Sequence, residues 1–158
     1  MAEVAGTFDA ATAYHEAGHA VVAVLLGKAV HRVSVVPKWT WAGKCEFGPG
    51  QHKRAESWIE REVLVSLAGL AAEARHTGSY DRVGAARDLL FVRQTLRHRT
   101  TSRGWERLER RMLSKVEAML ADDVAWNAVT RIAEALLQHG TISGRMVQHL
   151  VAEAERGV

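Results

Sequence analysis

The sequence predicts a mainly α fold with one small antiparallel β hairpin or sheet, and three observations point to it. Apolar residues recur three and four apart over most of the chain, the spacing that puts them on one face of a helix. Both prolines, Pro37 and Pro49, fall between Gly27 and Gly50, the window that also holds Trp39, Trp41 and the densest β-branched run. Stop signals (Gly27, Thr77-Gly78, Gly140) stand at the ends of the periodic stretches.

The first helix is expected from an Asp9 N-cap through Leu26, with Gly27 beyond it as the stop. Val30 to Val36 alternates, Val33 and Val35 on one face and Arg32 and Ser34 on the other, and Ala42 to Phe47 can pair back on it. From Arg54 to Arg75, Trp58, Ile59, Val63, Leu67, Leu70, Ala71 and Ala74 define a long amphipathic helix that ends before a loop at Thr77 to Tyr80. Further helices are expected over Arg82 to Arg99, Trp105 to Leu120, Val124 to His139 and, after a Ser143 N-cap, Gly144 to Glu155. The 158 residues make one domain, 1–158, without repeats or low-complexity tracts.

Composition narrows the function classes. With 47% hydrophobic and 25% charged residues the chain has the make-up of a soluble globular protein. The net charge of +3 is too small to imply a nucleic-acid partner. The longest strongly apolar run, Ala20 to Leu26, is far below the roughly 20 residues that cross a bilayer. Met1 to Ala11 carries Glu3 and Asp9 but no Lys or Arg, unlike a secretory signal, and a cytoplasmic location is expected. The single cysteine, Cys45, offers neither a disulfide nor a thiolate cluster, so a bound metal must use histidine and carboxylate.

Such a set lies in His15-Glu16-Ala17-Gly18-His19, an H-E-x-x-H sequence inside the first predicted helix. Residues four apart share a helix face, so His15 and His19 can aim two imidazole nitrogens at one point. Glu16, about 100° round the helix, can reach a water at that point without being a ligand. Zinc, a general base and an activated water are the parts of a peptide hydrolase. Val21, Val22, Val24, Leu25 and Leu26 follow at once and would bury the helix, whereas Gly18 costs a helix interior about 1 kcal/mol relative to alanine.

The segments 13–22 (Ala-Tyr-His-Glu-Ala-Gly-His-Ala-Val-Val) and 30–37 (Val-His-Arg-Val-Ser-Val-Val-Pro) resemble the peptidase domain of the FtsH family of ATP-dependent zinc metalloproteases. Ala68-Gly69-Leu70-Ala71-Ala72-Glu73 resembles the family's A-G-R-x-A-E segment. Thr77-Gly78-Ser79-Tyr80-Asp81 resembles its T-G-A-x-x-D stretch, and 133–144 resembles its closing helix-turn-helix. The resemblance implies a zincin-like helical domain and a zinc-dependent endopeptidase acting on peptides or unfolded, flexible polypeptide. His15, His19 and Asp81 would then be the Zn²⁺ ligands and Glu16 the base. The chain is one residue shorter before the aspartate than the family pattern, so Glu73 and Asp88 stand as competing acids, Glu73 better suited to orienting a ligand histidine. The resemblance also implies an edge strand, here within Ala42 to Phe47, that pairs with substrate backbone. Trp39, Trp41 and Phe47 are either core or subsite aromatics.

The sequence has neither a membrane span nor a G-x-x-x-x-G-K-[ST] phosphate loop, so an active chain is expected to take peptides, unfolded segments or flexible tails or to borrow a separate AAA-type unfoldase, and the family's assembly does not carry over automatically. A different class of reading is a non-catalytic metal-binding module for protein interaction or regulation; the presence of Glu16 argues against it. Ten Arg and Lys against four acids between Asp81 and Lys115 read as a solvated helical surface rather than a nucleic-acid interface. His31, His52, His76, His98, His139 and His149 have no ligand spacing and read as surface or helix-end residues.

Overall fold

The structure, a computed structural model, describes residues 7–38, 41–48, 55–100 and 103–158. Glu3, Trp39, Pro49, Gly50, His52 and Arg54, named above, lie outside them. Among the described residues the order is α1 (Ala10–Leu25), β1 (Val30–Ser34), β2 (Lys44–Phe47), α2 (Ala55–Thr77), α3 (Ala86–Arg97), α4 (Gly104–Ala121), α5 (Asp123–His139), β3 (Thr141–Ser143) and α6 (Gly144–Arg156). The mainly α class with a small antiparallel sheet is what the periodicity predicts.

α1 begins where Asp9 accepts the Thr12 N–H at 2.9 Å, and α5 and α6 start on the same device, Asp122 accepting from Ala125 and Ser143 from Met146. From Ala17 to Ala23 every residue of α1 is buried, because the helix is wrapped by α2, α5 and β1. Gly18 explains itself at the α1–α2 crossing. A Cβ there would stand 2.5 Å from the Ala72 methyl and 2.6 Å from the Ala68 carbonyl, so small residues on both helices permit an approach that fixes α1 against α2.

The sheet runs β2-β1-β3 and is antiparallel throughout, with Val33 at its centre opposite Cys45 on one side and Ile142 on the other. β3 is an addition to the expected hairpin: three residues that pair with β1 only because α5 and α6 bring them there. Among the described residues β2 pairs with β1 alone and is an edge strand. No helix among them is long and apolar enough to cross a membrane.

The expected helix from Arg82 starts later, at Ala86, and residues 82–85 form turns. Asp81 accounts for the delay, since its carboxylate accepts the Gly84 N–H at 2.9 Å and its carbonyl accepts from Ala85.

Candidate metal centre

His15 and His19 lie one turn apart on the buried face of α1, 8% and 7% exposed, and point toward α2. Gly69 makes room for them: a Cβ there would lie 2.5 Å from the Nε2 atoms of both rings. Each ring is held by its other nitrogen. His15 Nδ1 is 2.9 Å from a Glu73 carboxylate oxygen, and His19 Nδ1 is 2.7 Å from the Val65 carbonyl. A backbone carbonyl can only accept, so His19 Nδ1 carries a proton, and Glu73 holds His15 the same way. Both Nε2 atoms are left to face the interior of the cleft.

They meet Asp88, from the first turn of α3. Its Oδ2 stands 3.0 Å from His15 Nε2 and 3.2 Å from His19 Nε2. Among the described residues, His15, His19 and Asp88 are the group whose donor atoms come close enough to share a metal ion. Two imidazole lone pairs and a carboxylate oxygen repel unless a cation lies among them. Ligand atoms around tetrahedral zinc, with bonds near 2.05 Å, stand about 3.3 Å apart, so these spacings and this donor set fit.

Electrostatics say the same in protons. Burial works against a charged His15, but its bonds to Asp88 and Glu73 overcome that and raise it to about 10. Burial likewise opposes the raised His19, with Asp88 the main group holding the proton on. Asp88, although desolvated, is held far below the usual carboxylate range by His19 and His15. Without a metal, protons supply the positive charge that the site demands.

Glu16 is 7% exposed and belongs to the same cleft, a cavity of about 890 Å³ that also includes Trp41, Cys45, Phe47, Glu62, Val83 and Phe91. Burial raises its affinity for protons, with His19 and His15 pulling the other way. Asp81 is the acid that the resemblance implies as third ligand. It borders the outer cleft, but its side chain is an exposed cap for the turn at Gly84 and is not in the cluster; Asp88, seven residues on, is the acid that meets the histidines. Glu73 takes the ring-orienting place expected of it. Trp41 and Phe47 both line the cleft, and Phe47 also packs against the core. His76 stacks on Tyr14 at 3.8 Å, and His31, His98, His139 and His149 are exposed.

The profile of peptidase family M41 matches residues 6–117. The chain belongs to peptidase family M41. Every M41 site residue described above lies inside that span, and α5, β3 and α6 lie beyond it. Relatives include the ATP-dependent zinc metalloprotease FtsH of Veillonella parvula, 37% identical over 97 residues, covering 59% of this chain and 15% of that protein. The protein of the same name from Ruminiclostridium cellulolyticum is 36% identical over 97 residues, covering 59% of this chain and 16% of its own. The chloroplastic ATP-dependent zinc metalloprotease FTSH of Medicago sativa is 30% identical over 92 residues, 54% of this chain and 13% of the relative. This M41 chain thus spans about 15% of the length of the curated relatives it matches.

Three features of this M41 site escape sequence reasoning: the Val65 carbonyl under His19, the clearance at Gly69, and Lys28 with Glu62 in the cleft wall. A main-chain oxygen has no residue-type signature, and the lysine and glutamate are 34 positions apart with no motif between them. Gly69 could have been noticed, being a glycine inside a long periodic helix.

Proposed function

We propose that the chain is a zinc-dependent endopeptidase that hydrolyses peptide bonds in unfolded or flexible polypeptide, with His15, His19 and Asp88 as the zinc ligands and Glu16 as the general base. The observation that carries this reading is the convergence of both Nε2 atoms on Asp88 Oδ2, at 3.0 and 3.2 Å, with both Nδ1 atoms already engaged elsewhere. Zinc held there would polarise the scissile carbonyl and bring the pKa of a water in its open position down to about 7.

The chain's own groups do the rest. Glu16 takes the proton from the attacking water onto its carboxylate and delivers it to the nitrogen of the departing amine. Its burial favours the protonated state it passes through between the two transfers. Glu73 and the Val65 carbonyl keep the two rings in the tautomer that presents Nε2. The free side of β2, along the cleft, offers main-chain N–H and C=O groups to an extended substrate, a recognition that reads backbone rather than sequence. Only an unfolded or flexible segment can lie along an edge in that way. Folded substrates need an AAA-type unfoldase, in keeping with the ATP dependence named in the relatives.

The test compares the native chain with Glu16→Gln on casein, with zinc measured in both. The expected result is equal zinc content and cleavage lowered by about 10²–10⁴-fold. Undiminished cleavage by Glu16→Gln removes the mechanism.

A further inference from the structure

Another part of the same cleft carries an ionic cluster that hydrolysis does not use. Lys28, just after α1, donates from Nζ to Glu62 on α2 and lies 4.1 Å from the ring centroid of Phe47 on β2. The neighbouring Arg61 places Nη2 3.9 Å from the other Glu62 oxygen. All three are withdrawn from solvent, with side-chain exposures of 11% for Lys28, 14% for Glu62 and 12% for Arg61.

Among the described residues, Lys28 and Arg61 share this one carboxylate; Lys28 and Glu62 line the cavity, and Arg61 stands behind them. The acid on β2, Glu46, is engaged by Arg32 and Lys44. The Nε and Nη2 atoms of Arg61 are buried with no hydrogen-bond acceptor among the described residues. A withdrawn lysine that shares its carboxylate with a second cation is incompletely neutralised, and an anion reaching it from the cavity would offset that cost.

Position along the cleft completes the case. Lys28, Phe47 and Glu62 line the cavity that contains Glu16 and His19. β2 spans the two ends: at Gly43, just before it, a Cβ would stand 2.9 Å from Glu16 Cγ, and at its other end the Phe47 ring lies against Lys28. A chain lying along β2 past the base therefore runs toward Lys28. Of the three N–H donors of the ammonium, Glu62 uses one, and the Phe47 ring offers an apolar wall for methylene groups.

We propose that this end of the cleft is a subsite for a carboxylate of the polypeptide substrate, bound by Lys28. The proposal rests on the peptidase reading above and deepens it. An internal Asp or Glu side chain and a free α-carboxylate offer the same chemistry, and the experiment separates them.

The probes are peptides of one sequence carrying a single Glu, Gln or Lys at each position around the scissile bond, each made with a free and an amidated C-terminus. Cleavage by the zinc-loaded chain gives kcat/KM, and fluorescence anisotropy gives equilibrium binding to zinc-loaded Glu16→Gln. At one position Glu should be preferred over Gln by about tenfold, mostly through KM and binding, with Lys weakest and the preference shrinking as salt rises. Lys28→Met should bring the Glu/Gln ratio close to one. Glu62→Gln, which frees the ammonium, should enlarge it. Preference that survives amidation assigns an internal side chain; preference that vanishes on amidation assigns the terminal carboxylate. A flat ratio in both measurements, no binding by any peptide, or a ratio unchanged in a folded Lys28→Met overturns the subsite. Lys28-dependent binding without cleavage keeps the subsite and rejects the peptidase reading.

Discussion

The helix pair α1–α2 and the helix α3 contribute to the same cluster by opposite means. α1 and α2 meet through Gly18, Ala68 and Ala72, and their facing surfaces are almost wholly buried. α3 buries only Leu89, Val92 and Leu96, leaves Leu90 and Phe91 exposed, and is entered through four turn residues. Helical period alone sets the two histidines relative to each other. The acid depends on where α3 docks and at which residue it begins, so one half of the site is local and the other is tertiary.

The strongest way to break this comparison is Asp88→Ala. If α3 supplies the third ligand, zinc affinity in a competitive chelator titration should fall well beyond the roughly 10–100-fold that a supporting residue costs, and cleavage should fall with it. Full zinc affinity in Asp88→Ala would return the search to Asp81.

That asymmetry also explains what could be read from the sequence. The helices, their caps and stops, and the His15-Glu16-His19 arrangement follow from spacing, because each is settled within a few residues. Glu73 was legible as a partner of one of the two histidines because α2 is long and regular, so its place against α1 is tightly limited. Asp88 was not. Whether residues 82–85 are helix or turn depends on one side-chain bond, from Gly84 N–H to Asp81, and changing that choice alters which acid reaches the histidines. β3 was missed for a related reason: three residues have no period of their own, and their pairing with β1 exists only after α5 has packed.

Glu73→Gln sharpens the comparison within the rigid half. It affects His15 and leaves His19, whose Nδ1 rests on the Val65 carbonyl. The glutamine oxygen can still accept the proton, but the negative charge that makes the imidazole a stronger donor is gone. A loss of about tenfold in zinc affinity is expected, at the low end of the range for such partners. An unchanged affinity would mean that packing alone orients His15.

The charge balance gives a test in pH. His15 in the metal-free chain is raised from 6.5 to about 10. That contribution to stability is fully present below pH 6.5 and is lost as the pH climbs through about 10. Zinc must displace the same proton, so its stabilising effect grows over the same interval. Thermal melts with and without zinc should therefore diverge from pH 6.5 upward, the His15 contribution falling in the metal-free chain and staying level in the loaded one, where neither the native nor the unfolded state holds the proton. Parallel curves would show that His15 does not exchange its proton for the metal.

Asp81→Ala should have the smallest effect, and its pairing with Asp81→Asn makes it informative. The Asp81 carboxylate accepts one N–H, from Gly84 at 2.9 Å, in an exposed turn. Removing such a cap costs about 1 kcal/mol, or roughly 2–4 °C in Tm for a chain of this size. Asparagine can accept the same bond, so Asp81→Asn should recover most of the loss. Zinc affinity should stay within about fivefold in both, since only the approach to α3 is loosened, by the same roughly 1 kcal/mol at most. A ligand would behave in the opposite way, because an amide is a poor substitute for a carboxylate on zinc and the turn would be indifferent to the exchange. Stability that follows the hydrogen bond while zinc follows neither variant separates the acid that shapes the turn from the acid that the turn delivers.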